Sequence, residues 1–367
     1  MFLLLAFAGQ YFYIENYLLS YSIESKQQNT KGLMSILKET NKSNIIIKLP
    51  FFPIINNDTK FLLMQIPKSW NGECGGIANQ MWRLAVLFSI AKSVGRIPGI
   101  SNTSTWTCDK LNNPNEIEDT FPILYSSLIY MQADPLNSVY DNVSDTICCS
   151  FFNITDKLAK YKENHLIIAP PPQAPKYLEN NNAEIKQLFR FSKKMNIKVI
   201  SYINELFGSD QSSHKLCVHT RRGDFGPPKW PMHGRSEKLF TEAAIKHVLE
   251  YLQKKYILNI SIVLLGEDKD FLKKINISQK VQVNKIHFPK KLVRTYDMCF
   301  GVWACDSLII TASSSTFAWW IGYLLEETNS IVFYNSDFTN SNYNKTNFPI
   351  DWIPLKFDSN MNKILME

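Results

Sequence analysis

Long blocks of arginine or lysine are absent from this chain of 367 residues, although 40 basic against 33 acidic side chains give a formal charge of +7. It also carries no RNA-recognition or zinc-finger signature and no repeat of fixed period. A nucleic-acid partner is therefore not expected, whereas an anionic small ligand stays open. An apolar content of 45% is enough to bury a core in each of two ordinary domains, so disorder is not the default.

Metal-type cysteine pairs are also missing, because none of the seven cysteines forms a Cys-x-x-Cys motif. A few disulfides together with at least one free thiol are the simplest interpretation. Cys217 and Cys305 lie in apolar runs, which predicts that both are buried thiols.

A hydrophobic run long enough to span a bilayer is lacking at the N-terminus. The apolar run covers residues 2–14, whereas a spanning helix requires about 20 residues, and no basic flank precedes it. We interpret residues 1–20 as a short signal-anchor-like segment rather than a buried helix. The Asn/Lys/Ser-rich sequence that follows is typical of a stem, which we assign to residues 21–58.

Asn-x-Ser/Thr sites are abundant, and they favour a secretory route, although an Asn-rich chain forms some of them by chance. The candidate glycosylated residues are Asn41, Asn57, Asn102, Asn142, Asn153, Asn259, Asn276 and Asn344.

The first half predicts the beginning of an α/β layer. Residues 60–67 have the pattern of a buried strand, and a glycine-containing turn leads into a helix that ends at Gly95. A long helical pattern covers residues 183–207. We therefore assign residues 59–210 to an N-terminal, Rossmann-like domain.

The second half alternates strand and helix more regularly. Residues 236–256 predict an amphipathic helix with Ser236 as its cap, and Phe240, Ala244, Val248 and Leu252 on one face. The strands, among which we include VQVNKIHF, are mostly apolar throughout their length, and this pattern predicts a parallel sheet covered on both sides. We assign residues 211–340 to this domain and residues 341–367 to a C-terminal tail.

Two segments could bind an anion at the carboxyl ends of these strands, where ligands of parallel sheets lie. His219 closes a strand, and Arg221, Arg222 and Asp224 follow in the loop, where a guanidinium can hold a phosphate. The run 313–316 opens a helix, whose hydroxyl and N–H groups form a second anion site. Together they could clamp a diphosphate.

Simpler interpretations stay open at this point. The two arginines could form a surface salt bridge, and the serine run could only cap its helix. Arg222-Gly223-Asp224 also spells an adhesion tripeptide, but a strand end rather than an exposed hairpin tip disfavours that function.

Three segments, in this order, resemble the α-1,2-fucosyltransferases, inverting enzymes that move fucose from GDP-fucose to a glycan. GGIANQM (75–81) is similar to the family's GGLGNQM turn and helix, with Ala78 in place of a glycine. HTRRGDF (219–225) resembles H-x-R-R-G-D-Y/F, and SSSTFAWW (313–320) resembles S-N-S-T-F-S-W-W. The resemblance spans about residues 61 to 334.

The resemblance implies a GT-B fold, in which two Rossmann-like domains face a cleft and the C-terminal one binds GDP-fucose. Arg221 is then expected on the β-phosphate and Asp297 on guanine. The other expected donor-binding residues are His219, Arg222, Asp224, Ser315, Thr316 and Phe317. Gly76 and Asn79 are expected to face the cleft from the acceptor side.

No metal is expected, since the family needs none and an arginine with a helix N-terminus can neutralise a leaving diphosphate. Asp268 and Asp270 form an Asp-x-Asp pattern, which we interpret as the acidic start of a helix. Asp224 is a candidate catalytic base by type, or else it only orients an arginine.

The expected function is α-1,2 fucosylation of a galactose-terminated glycan by a type II Golgi membrane protein with a lumenal catalytic part. Membrane contact is expected only through the N-terminal segment. The alternatives are another linkage, including protein O-fucosylation, and a catalytically silent secreted binding module. A measurement of GDP binding distinguishes the silent module from the enzymes, because a silent module has no need to bind a diphosphate. Absence of GDP binding would favour the silent module.

Overall fold

The computed structural model describes residues 55–65, 76–101, 115–134, 136–143, 149–256, 259–277, 282–325, 330–339, 341–361 and 363–366. The signal-anchor-like segment, most of the stem, Asn41, Asn102, Cys74, Cys108 and Cys148 lie outside these ranges. Within them, no helix is both long enough and apolar enough to cross a membrane.

The first half forms a five-stranded parallel sheet with the strand order β3-β2-β1-β5-β4. Its strands are β1 (Phe61–Met64), β2 (Ile97–Ser101), β3 (Ile129–Met131), β4 (Ser138–Asp141) and β5 (His165–Ile168). Its helices are α1 (Ile77–Ser93), α2 (Asn115–Thr120), α3 (Pro122–Ser127), α4 (Thr155–Leu158), α5 (Asn182–Leu188) and α6 (Lys193–Phe207). Helix α1 is followed by Gly95 in the left-handed region (φ 65°), which is the predicted stop.

The second half forms a seven-stranded sheet with the order β12-β11-β10-β9-β6-β7-β8. The strands are β6 (His214–His219), β7 (Ile260–Leu265), β8 (Ile286–His287), β9 (Ser307–Ile310), β10 (Ile331–Asn335), β11 (Ile353–Asp358) and β12 (Lys363–Met366). The helices are α7 (Lys238–Tyr256), α8 (Lys269–Lys273), α9 (Arg294–Ala304) and α10 (Thr316–Leu324). All neighbouring strands are parallel except β11 and β12, so the predicted α/β class is confirmed.

The chain after residue 340, which the sequence suggested as a tail, adds two strands to the second sheet. Strand β11 pairs with β10, and β12 folds back along β11. Leu355 and Ile364 are buried there, because they complete the apolar face that α7 covers. The predicted apolar face of α7, with Phe240, Ala244, Val248 and Leu252, is buried as well.

The single long helix predicted over residues 183–207 is wrong. Helix α5 ends at Leu188 and α6 begins at Lys193. Between them Phe189 and Phe191 both pack against Phe121, with ring centroids 5.2 Å apart in each case. Residues i and i+2 point to the same side in an extended chain but not in a helix. Because Phe189 and Phe191 both contact Phe121, the backbone between them cannot be helical.

The prediction that Cys217 and Cys305 are thiols is also wrong, because they form a disulfide. The residues are 88 positions apart, yet their Cα atoms lie 5.5 Å apart, a separation that a disulfide permits. Cys217 lies in β6 and Cys305 lies two residues before β9, and these two strands pair. Both cysteines are buried, as their apolar sequence neighbours predicted. Burial alone does not show that the two residues lie next to each other.

The strand predicted for VQVNKIHF is shorter than expected. It is a two-residue edge strand, Ile286–His287, of which only His287 is buried. His287 holds the edge by a 2.7 Å contact between its Nε2 and the buried Asp210 carboxylate.

A cluster of aromatic side chains joins the two sheets into one core. Trp82 of α1 packs against Trp319 and Trp320 of α10, with ring centroids 4.2 and 5.3 Å apart. Phe189 packs on Trp320 at 4.9 Å. Aromatic rings bury large apolar areas, so this cluster fixes α10 against the first half of the chain.

Candidate active site

The two predicted anion-binding segments meet at the point where the strand order of the second sheet reverses. The chain runs from β6 outward through β7 to β8 and then returns to place β9 on the other side of β6. His219 pairs with Ile310, and the Thr311 N–H donates to the His219 carbonyl at 3.2 Å. Such a reversal opens a crevice at the carboxyl ends of the strands, which is where ligands bind in this architecture.

Arg221 and Asp224 form a bidentate pair in the loop after β6. Nε and Nη2 of Arg221 donate to the two carboxylate oxygens of Asp224, each at 2.8 Å. The guanidinium lies 5.4 Å from the ring centre of Phe225. Burial alone would raise the pKa of Asp224, but the hydrogen bonds and charge of Arg221 outweigh it, so the pKa is lowered. Both side chains stay partly exposed, and the guanidinium is therefore fixed but accessible.

Arg222 is directed into its own loop instead. Its Nη1 donates to the Ser236 carbonyl at 2.6 Å, and its Nε lies 3.3 Å from Asp268. The guanidinium also lies 4.3 Å from the ring centre of Phe271. The structure therefore separates the two adjacent arginines, since only Arg221 offers its side chain to the crevice while Arg222 ties the loop to α8.

Glu267, which the sequence did not single out, holds the turn that carries both arginines. Its Oε1 accepts the backbone N–H groups of Arg222 and Gly223 at 2.9 and 2.8 Å. Burial raises the pKa of Glu267, but these hydrogen bonds and the charge of Arg221 lower it more, so the net direction is down. Gly266 before it has a φ of 150°, and a Cβ there would lie 2.2 Å from Thr220 Oγ1. Only glycine fits this close approach.

The prediction that Ser236 caps α7 is wrong, because its hydroxyl accepts a hydrogen bond from the loop after β6. The helix begins at Lys238, and the buried Ser236 Oγ accepts the Arg221 N–H at 2.8 Å. The same oxygen lies 2.7 Å from Thr311 Oγ1, which donates to the His219 carbonyl at 2.8 Å. A hydrogen-bonded chain thus links the loop after β6 to the loop after β9.

The start of α10 forms the other side of the crevice. Ser315 is the N-cap, and its Oγ accepts the Ala318 N–H at 3.4 Å. Ser313 donates to the Asn335 carbonyl, whereas Ser314 Oγ is buried with no partner among the described residues. The first N–H groups of a helix have no intrahelical acceptor, so the region of Thr316 and Phe317 favours an anion.

His219 lies beneath the crevice in a neutral state. Burial lowers the pKa of His219 to about 4, and the charge of Arg221 acts in the same direction, against the opposing charge of Glu267. Its ring packs 5.8 Å from that of Phe317. The Nδ1 atom has no hydrogen-bond partner in the described part of the chain. His219 is therefore a neutral polar group at the base of the site rather than a cation.

Asp297 lies in the first turn of α9, where its Oδ1 accepts the Leu292 N–H at 3.1 Å. Burial raises the pKa of Asp297 to about 6, against the lowering effects of that hydrogen bond and of Lys269 and Lys291. The carboxyl group is partly exposed, so it can accept a further hydrogen bond from a ligand.

The first turn of α9 faces the first half of the chain. Arg294 donates two hydrogen bonds to Glu116 of α2, from Nε to Oε1 at 2.7 Å and from Nη2 to Oε2. A Cβ on Gly76 would lie 3.9 Å from Nη1 of Arg294. Asn79, in the first turn of α1, is partly buried. The beginnings of α1 and α9 therefore approach each other across the two sheets.

The Asp-x-Asp pattern forms a helix start, as predicted. Asp268 caps α8 by accepting the Phe271 N–H at 2.9 Å, and Asp270 lies 3.5 Å from Lys273. Over the ranges that the structure describes, no three His, Cys, Asp or Glu side chains are grouped so that they could hold a metal ion.

The described glycosylation candidates are all exposed: Asn57, Asn142, Asn153, Asn259, Asn276 and Asn344. At Asn344 the Oδ1 accepts the N–H and hydroxyl of Thr346 at 2.8 and 2.6 Å. These contacts involve the amide oxygen, so they do not use the side-chain nitrogen to which a glycan would be attached.

Fold and site together define an α/β protein with a crevice at the switch point of its second sheet, where an arginine and a helix N-terminus could hold an anion. The chain belongs to glycosyl transferase family 11, whose model matches residues 75–356. It is thus a glycosyltransferase, and its two Rossmann-like halves are the GT-B architecture.

The chain is also similar to two curated relatives and to one solved structure. A "Putative galactoside 2-alpha-L-fucosyltransferase svh-11" of Caenorhabditis elegans is 25% identical over 85% of this chain and 84% of its own. A "Galactoside 2-alpha-L-fucosyltransferase" of the same organism is 24% identical over 78% and 76%. A mutant of FUT1 from Arabidopsis thaliana in complex with GDP is 11% identical, covers 87% of this chain and 78% of its own, and has a TM-score of 0.43.

The pair of Glu116 and Arg294 is expected to stabilise the contact between the two halves. Its side chains are 15% and 32% exposed, and partly buried bidentate pairs couple more strongly than exposed ones. A double-mutant cycle with Glu116→Ala and Arg294→Ala should give a coupling free energy of about 0.5–3 kcal/mol in denaturant unfolding.

The exposed pair of Asp270 and Lys273, with 83% and 71% exposure, is the matched control. Its cycle should give at most about 0.5 kcal/mol. A coupling for the first pair no larger than that of the control would contradict the expectation.

Proposed function

We propose that this protein transfers fucose from GDP-fucose to a terminal galactose of a glycan and forms an α-1,2 bond with inversion. The observation that carries the proposal is the accessible guanidinium of Arg221 beside the N-terminus of α10 at the switch point. Family membership supports it, as do the relatives named as galactoside 2-alpha-L-fucosyltransferases.

The chemistry follows from charge development on the leaving group. The acceptor hydroxyl oxygen forms a bond to C1 of fucose while the bond from C1 to the β-phosphate oxygen breaks, the electron pair leaves with GDP, and the hydroxyl proton passes to solvent water. Arg221 and the first N–H groups of α10 stabilise that charge from fixed positions, which is the role a metal ion performs in other enzymes. We propose that no metal is required.

Asp224 is proposed to position Arg221 rather than to take the acceptor proton. Its two carboxylate oxygens are both occupied by the guanidinium, which favours the orienting role of the two left open by the sequence. Arg222, Glu267 and Ser236 are proposed to hold the loop from behind, because each bonds to backbone within it.

Asp297 is proposed to recognise guanine. Guanine presents two adjacent N–H donors, which pair with an ionised carboxylate, and one carboxylate oxygen of Asp297 is already oriented by the Leu292 N–H. Gly76 and Asn79 are proposed to line the acceptor side of the cleft, since Gly76 lies opposite the first turn of α9.

Arg221→Ala should lower kcat by about 100- to 1000-fold, the usual loss when one donor to a developing oxyanion is removed. Arg221→Lys should restore only part of the lost kcat, because an ammonium group cannot donate two parallel hydrogen bonds as a guanidinium does. The matched control is Arg235→Ala, an exposed arginine of the same loop whose Nε pairs with Glu237 at 3.0 Å.

Product formation with GDP-fucose and a galactoside panel, read by mass and linkage analysis, measures this effect. The assays contain EDTA, since metal independence is part of the proposal. Near-normal turnover of Arg221→Ala, or wild-type activity only with added manganese, would contradict the mechanism, and products of another linkage would contradict the acceptor.

GDP affinity should fall as the pH drops through about 6, because Asp297, whose pKa burial raises to about 6, is then neutralised. His219 does not interfere, since its pKa of about 4 lies below this range. Asp297→Asn should bind GDP roughly 10- to 150-fold more weakly above pH 6 and remove the transition, as expected for loss of a charged hydrogen bond. Calorimetric titration with GDP measures both, and an unchanged transition in the variant would assign it to another group.

We also propose that the catalytic part is lumenal in the Golgi, with an anchor in the N-terminal segment. The exposed sequons and the disulfide of Cys217 and Cys305 support an oxidising, glycosylating compartment. Protein from a secretory host should lose mass on treatment with peptide N-glycosidase, and Asn344→Gln should lack one glycan. No change in mass on treatment would oppose this location.

A further inference from the structure

A short hairpin continues the chain directly after Asp224 and presents an indole ring to solvent. Gly226 and Trp230 exchange two backbone hydrogen bonds, each at 3.0 Å, and the His233 N–H donates to the Trp230 carbonyl at 3.0 Å. Gly226 has a φ of 82°, a conformation that glycine adopts at little cost. The backbone of Trp230 is therefore fixed, whereas its side chain leaves the residue 41% exposed.

A row of rings connects this indole to the diphosphate-binding arginine. The Arg221 guanidinium lies 5.4 Å from the ring centre of Phe225, and Phe225 stacks on His233 at 5.0 Å. His233 in turn lies 6.2 Å from Trp230. Burial lowers the pKa of His233, with Asp224 acting in the opposite direction, so the middle of the row is a mainly apolar support. Trp230 is thus attached to the same loop that sets Arg221.

The acceptor sugar must lie close to this loop during transfer. The attacking hydroxyl approaches C1 of fucose to about 3.5 Å on the side opposite the leaving phosphate. The acceptor ring therefore lies about one sugar width beyond the fucose, away from the phosphate, and the hairpin, which extends from Arg221 through Phe225 and His233 to Trp230, is the surface that we consider for it. Contiguous exposed apolar side chains rimmed by polar groups mark ligand surfaces, and Trp230 and Met232 are both exposed in this hairpin.

We propose that the indole of Trp230 is the stacking platform for the pyranose of the acceptor. An indole offers a flat apolar face, which matches the C–H face of a galactose-like ring, while its N–H stays available to a hydroxyl. The neighbouring Met232, 43% exposed, adds an adaptable apolar edge. This inference rests on the proposed function and specifies how that function selects its acceptor.

Steady-state kinetics with GDP-fucose and a galactoside test the platform. Trp230→Leu, which removes the ring but keeps an apolar side chain, should raise the KM for the acceptor about 5- to 150-fold, the range of stacking on an aromatic side chain. Trp230→Phe should stay within about 3-fold of wild type, because a ring remains. The KM for GDP-fucose and the calorimetric affinity for GDP should not change in either variant. Tyr140→Ala, which removes a 51% exposed aromatic from the edge of the other sheet, is the matched control.

A second measurement does not depend on the folding of Trp230→Leu. Addition of the galactoside to the wild-type complex with GDP should shift the tryptophan fluorescence, and Trp230→Phe should lose most of that shift. An unchanged shift in Trp230→Phe, or an unchanged acceptor KM in a folded Trp230→Leu, overturns the platform. Failure of the wild type itself to bind GDP or to transfer fucose overturns the proposed function instead, so the two failures are distinguishable.

Discussion

The pairing of β6 with β9 is the contact on which the site depends. It places the His219 strand end beside the Ile310 strand end, although about ninety residues separate them in the chain. The helix N-terminus of α10 then lies beside Arg221, and two weak anion-binding features become one crevice. The hydroxyls of Ser236 and Thr311 connect the two loops. Loss of this register would separate the cation from the helix dipole, and neither feature alone is specific.

Carboxylates decide what each arginine of the loop does. Asp224 orients Arg221 from one side and leaves it partly exposed, whereas Asp268, together with the Ser236 carbonyl, takes Arg222 out of the crevice. Glu267 binds the backbone between them. A guanidinium that is already fixed would lose little freedom on binding a diphosphate, so under the proposed function the loop would provide electrostatic stabilisation that is organised beforehand. Both arginines are fixed and partly exposed, but the guanidinium of Arg222 is bound by the Ser236 carbonyl and Asp268, whereas that of Arg221 pairs with Asp224 on one side.

Two further contacts relate the halves of the molecule to this crevice. The cluster of Trp82, Trp319 and Trp320 holds α10 against α1, and the pair of Glu116 and Arg294 connects the first turn of α9 to α2. Helix α10, whose N-terminus is proposed to bind phosphate, and helix α9, which carries Asp297, are thus both held by contacts with the other half. A donor bound between them would contact one continuous structure rather than two independent domains.

The sequence by itself determined what local patterns can encode. Apolar runs predicted the strands, Gly95 predicted the end of one helix, and Asp268 predicted the start of another. The HTRRGDF and SSSTFAWW segments indicated the candidate site. Tertiary structure decided what depends on neighbours distant in sequence. The packing of Phe189 interrupts the predicted helix, and Cys217 forms a disulfide with Cys305. Ser236 bonds to the loop of Arg221 instead of capping a helix, and Glu267 holds the same loop. Arg222 is bound within the loop, which leaves Arg221 as the candidate ligand of the two arginines. The physical reason is that propensities and caps act over a few residues, whereas strand register and side-chain pairing are fixed only when distant segments pack together.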